Sequence, residues 1–121
     1  MTPLMILVAD PYRSGTNDNP ALLANNVGAM TEAALCPLRA GHLPVMGEWY
    51  ALHLIEHAGS VNVGDPVFNE ISHTISRRLI AKCDRCLRIG GASVGADEMV
   101  SLARQHGKAV YFSLQEIPHL L

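Results

Sequence analysis

Aromatic residues are scarce in this chain: six of its 121 residues are Phe, Trp or Tyr, although 49% are hydrophobic. A core of stacked rings is therefore excluded, and packing falls to Leu, Ile, Val, Ala and Met, as in compact α/β domains. Charge is also sparse, at 17% of residues, and nearly balanced at a formal −2. That balance offers no broad attraction for a polyanion. The densest basic group, Arg77-Arg78 with Lys82, Arg85 and Arg88, is too thin for a nucleic-acid footprint. No apolar run approaches the ~20 residues of a membrane span, so no membrane partner is expected. Met1 to Asp10 lacks both the basic n-region and the cleavage site of a secretory signal, and reads as structure. Three cysteines, an odd number, leave no disulfide framework and suit a reducing compartment, so the expected localisation is cytoplasmic.

What remains is enough to bury a real core in one domain spanning 1–121. Leu4 to Ala9 is a continuous apolar run of strand length, the pattern of a strand covered on both faces. It stops at Asp10-Pro11-Tyr12-Arg13-Ser14-Gly15-Thr16-Asn17-Asp18-Asn19, a polar loop rich in turn formers. Asn19-Pro20 reads as an N-cap followed by proline at the first helical position. Leu22, Leu23, Val27, Met30, Ala34, Leu35 and Leu38 then recur at helical spacing over about 20–40, with Pro37 expected to kink or fray the last turn and Gly41 to stop it.

A short second strand is expected over His42–Met46. A helix over Glu48–Ala58 should turn Trp49, Leu52 and Ile55 inward, with Trp49 either closing the core or stacking on a base. The stretch Gly59–Pro66 is the most loop-like in the chain, and Asp65 in it has no fixed direction. A third helix carries Val67, Ile71, Ile75, Leu79 and Ile80 on its apolar side. Cys86–Ile89 reads as a strand, Ala96–His106 as a helix with Met99, Leu102 and Ala103 inward, and Val110–Phe112 as a last strand before a short helix capped by Ser113. The alternation βα, βα, α, βα, βα is that of a flavodoxin-like or Rossmann-like doubly wound parallel sheet, a three-layer αβα fold.

In such sheets ligands bind beyond the carboxyl ends of the strands, where strand order reverses. The loop after the first strand would supply Asp10, Tyr12, Arg13, Ser14 and Asn17, a set of donors, acceptors and one cation that a mere connection does not need. The turn Gly90-Gly91-Ala92-Ser93-Val94-Gly95-Ala96 would form a second wall. Its glycines, Gly91 and Gly95 among them, allow close backbone approach, Ser93 adds a hydroxyl, and the helix N-terminus favours an anion. It completes neither a Walker A motif nor G-x-G-x-x-G, so a tight turn is the plain alternative. Glu98 is a candidate nucleophile or general base, against the plain reading that Asp97 and Glu98 offset the helix dipole. Glu48 lies just after the second strand, at the same sheet end. Cys83-Asp84-Arg85-Cys86 has C-x-x-C spacing, but no second ligand pair follows and the motif runs from helix into strand, so neither zinc nor redox chemistry is expected. His53 and His57 share a helix face without a third ligand. No metal and no cofactor is indicated.

Taken in order, Asp10-Pro11-Tyr12, Ala40-Gly41-His42-Leu43-Pro44, Cys83-Asp84, Ser93-x-Gly95-Ala96, Ala103, Gly107 and Tyr111-x-Ser113-Leu114-x-Glu116-Ile117-Pro118 resemble the nucleoside 2-deoxyribosyltransferase-like superfamily, in particular its small bacterial and phage members, across almost the whole chain. The resemblance implies a flavodoxin-like fold, a homodimer or larger oligomer, and cleavage or exchange of the N-glycosidic bond of deoxynucleosides or their monophosphates. It implies that a glutamate attacks the anomeric carbon, that an aspartate assists the leaving base, and that Tyr and Ser hold sugar or phosphate. Tyr12 matches the tyrosine after the first strand, and Ser93 and Gly95 match the phosphate-side turn. The family glutamate position falls on Met99, with Glu98 one residue before it, and the aspartate position falls on Ser76.

Three functions follow as expectations. One is an N-glycosidase or deoxyribosyltransferase with Glu98 or Glu48 as working carboxylate and Tyr12, Arg13 and Ser93 placing the substrate. Another is a non-catalytic domain that binds or senses a nucleotide or phosphorylated sugar. The third is an assembly domain that works through its surface.

Overall fold

The computed structural model describes residues 2–120; Met1, at the head of the opening segment, lies outside them. The elements are β1 (Met5–Ala9), α1 (Pro20–Arg39), β2 (Leu43–Val45), α2 (Gly47–His57), α3 (Pro66–Lys82), β3 (Arg85–Arg88), α4 (Val94–Gln105), β4 (Ala109–Tyr111) and a 3-10 turn at Leu114–Glu116. The four strands form one all-parallel sheet in the order β2-β1-β3-β4. Helices flank it, giving the three-layer flavodoxin-like arrangement. Among the described residues no helix is long and apolar enough to cross a membrane.

The unbroken apolar run of β1 follows from its central place. Leu7 and Ala9 pack with Ile80, Cys83, Cys86 and Ala96 on one face, while Ile6 and Val8 pack with Met30, Ala34 and Ile117 on the other. Both faces are dry, so strand periodicity leaves no polar position. On its two edges Ile6 lies in register with Pro44 and with Arg85. Pro44 belongs to an edge strand, where a missing N–H is tolerated.

The start of α1 is as its sequence dictates: Asn19 Oδ1 accepts from the N–H groups of Ala21 (2.9 Å) and Leu22 (3.3 Å), and Pro20 occupies the first turn. The fraying expected at Pro37 does not occur. The helix runs on to Arg39, because the ring forfeits only the bond to the Ala33 carbonyl and is itself fully buried. A Schellman motif then closes it: the Gly41 N–H donates to Leu38 O (3.1 Å) and the His42 N–H to Pro37 O (2.9 Å). Gly41 sits at φ +102°, a conformation costly for any residue with a Cβ.

Strand and helix limits otherwise shift by one or two residues. β2 is shorter than His42–Met46 because His42 is a bracket: its Nδ1 accepts from the Leu4 N–H (2.9 Å) and its Nε2 lies 2.6 Å from Pro118 O. β3 and β4 each begin one residue early. α4 begins at Val94, two residues before the expected Ala96, because Ser93 is its N-cap. Ser113 does not cap the terminal turn through its side chain; Glu116 Oε1 instead accepts from the Phe112 N–H (3.2 Å). Trp49 is not in the core. It is 38% exposed and its Nε1 donates to Thr31 Oγ1 (3.4 Å), while Ala51 and Ile55 take the buried positions of α2.

Candidate functional site

The chain leaves β1 for β2 on one side and later returns to β3 on the other, so the strand order reverses between β1 and β3. A crevice of about 630 Å³ opens there, bounded by the loop after β1, the first turns of α2 and α4, and one side of α3. This is the position at which parallel α/β sheets bind ligands.

The β1 loop is built as a fixed object. Thr16 is buried, donates through Oγ1 to Arg13 O (2.6 Å) and accepts from the Asp18 N–H (3.1 Å). Asn17 and Asp18 both take positive φ, which short polar side chains tolerate best. Asn26 on α1 reaches back to donate to Tyr12 O (2.7 Å). Arg13 donates from Nε and Nη2 to the two Asp18 carboxylate oxygens (3.0 and 2.9 Å), and these bonds hold that carboxyl below its usual range. The guanidinium also lies 5.9 Å from the Phe68 ring centre on α3 and against Gly64, where a Cβ would come within 2.8 Å of it. Arg13 is thus a pinned, half-exposed cation with one partner already in place.

Asp10, Tyr12 and Glu48 form the acidic floor. Burial raises the Asp10 carboxyl above its ordinary range, opposed by the charge of Arg88. Burial raises Glu48 as well, opposed by its own backbone N–H and reinforced by the charge of Asp10. Tyr12 is raised first by burial and then by Glu48. All three line the crevice, and Glu48 stands in the first turn of α2. A carboxyl group raised by burial and by a neighbouring carboxylate, beside a half-buried phenol, is an arrangement in which that acid keeps its proton at higher pH than usual.

On the facing wall, Glu98 is exposed on α4 and borders the crevice, together with Met99 and Leu102. Met99 and Leu102 are half-buried and pack on the core, as their spacing implies. Ser93 is buried, and its Oγ accepts from the Ala96 N–H (3.1 Å), leaving its own proton to donate elsewhere. Ser14 and Gly95 border the opening and are exposed.

Gly91 does not reach the crevice. It is exposed with open space around it, and its carbonyl accepts from Arg88 Nη2 (2.7 Å). The close backbone approach expected of this turn belongs instead to Gly90, at φ +81°, and it is directed at protein: a Cβ there would overlap Asp10 Oδ1 and lie 2.6 Å from Pro11 Cδ. Arg88 fastens the same turn, donating to Asp97 Oδ1 (3.0 Å). Asp97 therefore serves an ion pair at the helix start.

Of the α3 wall, sequence reading singled out only Ser76, where the resemblance places an aspartate; Ser72 and His73 were missed. Ser72, His73 and Ser76 border the crevice, and Ser76 Oγ faces the start of α2 at Gly47. A signal for Ser72 was its spacing from Ser76, one helical turn apart beside the apolar stripe of Ile71 and Ile75. Asp65 is occupied elsewhere. It caps α3 through the Phe68 N–H (2.8 Å) and accepts from the Val61 and Asn62 N–H groups and the Ser60 hydroxyl, bonds that pull its carboxyl down to about 2.

Cys83 and Cys86 are buried among β1, α3 and α4, and burial pushes their thiols up to about 11 and about 12. Such thiols stay protonated, the opposite of what a metal ligand or redox pair requires. Among the described residues no group of three or more His, Cys, Asp or Glu side chains is placed to hold a metal ion. Comparison with protein-family models and with curated proteins finds no match to this chain.

Proposed function

We propose that this domain binds a nucleoside or nucleoside phosphate in the crevice and cleaves or exchanges its N-glycosidic bond. The observation that carries the reading is the pairing of two unlike carboxyl groups lining one crevice, Glu48 half-buried and raised, Glu98 exposed, with Tyr12 beside the first. Glycosyl transfer needs such a division between an acid and a nucleophile. Glu98 attacks the anomeric carbon, the bond to the base breaks, and the departing base takes a proton from Glu48. Water or a second base then attacks the same carbon, releases Glu98 and returns a proton to Glu48. Arg13, Ser14 and the Ser93 hydroxyl place the sugar or its phosphate. The first turns of α2 and α4 open onto the same space, and α2 has no side-chain cap, so its leading N–H groups suit an anion.

A second reading, binding or sensing without turnover, is favoured by one observation: the position six residues after Ser93 is Met99, packed on the core. One experiment separates the two. Thermal melts with nucleosides, deoxynucleoside monophosphates, ADP-ribose and ribose phosphates should show stabilisation of about 2.7 kcal/mol at ~100 times the dissociation constant. Chromatography should then show release of free base by the wild type, with Glu98→Gln and Glu48→Gln binding but not releasing. Binding without base release by the wild type selects the second reading, and a panel without any shift sinks both.

A further inference from the structure

Among the described residues Arg13 is the only Arg or Lys that borders the crevice, and little of its guanidinium is left to hold a ligand. Its Nε–Nη2 edge donates to both Asp18 oxygens, at 3.0 and 2.9 Å. Its Nη1–Nη2 edge abuts Gly64, where a Cβ would stand 2.9 and 2.8 Å from the two nitrogens. A guanidinium holds a phosphate through two parallel N–H bonds from one edge, and neither edge is open. The backbone is shaped for this. Asn17 and Asp18 stand at φ +47° and +58°, a conformation uncommon for any residue with a Cβ, and the buried Thr16 hydroxyl accepts from the Asp18 N–H at 3.1 Å. The ion pair is therefore placed by the loop, and is no chance meeting of two long side chains.

The rest of the crevice offers no second cation in exchange. Asp10, Asp18, Glu48 and Glu98 border it against Arg13, with His73 the only imidazole among the described residues there. The helix heads that open on this space would draw an anion, but each brings carboxyl groups of its own: Glu48 in the first turn of α2, Asp97 and then Glu98 in α4. Even with Glu48 protonated, carboxyl groups outnumber the guanidinium.

We propose that Asp18 determines which ligands the crevice accepts: by occupying Arg13 it bars a phosphate and leaves the space to an N-nucleoside that carries none. This rests on the nucleoside reading of the crevice and narrows it. A 5′-phosphate, close to dianionic at neutral pH, would enter an acidic space whose one guanidinium is already bonded to a carboxylate. Like charges brought together there cost affinity however well the sugar and base fit. A nucleoside meets no such penalty. Its hydroxyls donate to carboxylates and accept from the Ser93 hydroxyl and the helix-head N–H groups. Asp18 works through Arg13, so it selects the ligand without handling the reacting atoms.

Isothermal titration calorimetry on the full chain, with the common deoxynucleosides and their 5′-monophosphates, tests this. Asp18→Asn keeps a side chain that tolerates positive φ and removes the charge, whereas Asp18→Gly suits the same backbone and removes the partner altogether. Melting curves establish that each variant is folded. The wild type should bind at least one deoxynucleoside about tenfold or more tightly than its monophosphate, and raising salt from about 0.05 to about 0.5 M should shrink that ratio. Both variants should shift the ratio about tenfold or more toward the monophosphate. Arg13→Gln in the Asp18→Gly background should cancel the shift, since the released guanidinium is what takes the phosphate. A wild type that binds the monophosphate as tightly as the nucleoside overturns the inference and leaves the proposed function standing. A ratio that both folded variants leave unchanged does the same. No binding of either series, by the wild type or the variants, sinks the proposed function and this inference with it.

Discussion

The Gly90 backbone rests against the Asp10 carboxylate, closing the gap between the loop after β3 and the loop after β1. The two walls of the crevice are therefore spaced by direct contact at a position where no side chain fits. Gly90→Ala should destabilise the fold by at least about 2 kcal/mol, through both the overlap and the positive φ. In a domain of this size that lowers the melting temperature by about 8 °C or more. Gly91→Ala, in open space one residue on, should stay within about 0.5 kcal/mol of the wild type. Calorimetry on the pair checks both, and an equal response would show that the contact does not set the spacing.

His42 is buried between the first strand and the C-terminal segment. Because Nδ1 accepts from the Leu4 N–H, the ring proton resides on Nε2 and is donated to Pro118 O. Nitrogen NMR should find that tautomer. His42→Ala should cost about 2–4 kcal/mol in urea unfolding, from lost packing and two stranded backbone groups. A cost below about 1 kcal/mol would mean that water replaces the ring without loss.

Glu48 and Asp65 make opposite contributions to acid stability. The folded state raises Glu48, so it binds this proton more readily than the unfolded chain, and stability from this group falls as pH rises from the ordinary value of 4.5 through the folded one. Glu48→Gln should therefore stabilise the protein at neutral pH, with the gain vanishing well below pH 4.5. Asp65 is lowered from 3.8 to about 2, so its contribution is present above 3.8 and disappears as pH falls through about 2. Chemical denaturation of Glu48→Gln, Asp65→Asn and the wild type between pH 2 and 7 reads both windows, on the scale of the values 3.8 and 4.5. A Glu48→Gln protein less stable than the wild type at neutral pH would contradict the first.

Cys36 is half-buried, whereas Cys83 and Cys86 are buried with thiols raised to about 11 and about 12. Iodoacetamide at pH near 8 should add at most one label to the native protein, at Cys36, and reach the other two only after unfolding. Mass spectrometry of the intact chain counts the labels. Rapid native labelling at Cys83 or Cys86 would mean that the layer beneath α3 and α4 opens readily.

The fold was legible because its strongest signals are local. The dry run of β1 and the Asn19-Pro20 start of α1 each specify their element without help from distant residues. Readings failed where a remote contact decides. Pro37 is tolerated because its ring is buried, Trp49 is outside because Ala51 and Ile55 occupy the inner side of α2, and Gly90 is required because of Asp10, 80 positions earlier. The site was legible at its loops, since a plain connection after a central strand has no need of so many donors and acceptors. Its α3 wall was not, beyond the single position Ser76 that the resemblance marked, because Ser72 and Ser76 differ little from a solvated helix face until packing shows which way they turn. Arg13 was legible as the one cation of this loop, but its pairing was not, because only the turn through Asn17 and Asp18 brings Asp18 against it.

The central place of β1 also sets an order of events during synthesis. One of its edges pairs with Leu43–Val45, but the other waits for Arg85–Arg88. Until those residues leave the ribosome, β1 keeps one edge bare, and the face destined for α3 and α4 has nothing to cover it. Every residue from β1 through Arg85–Arg88 must emerge before this apolar segment is sheltered. The nascent protein is most prone to stick to its neighbours during that interval, when the helices between β2 and β3 are already being made.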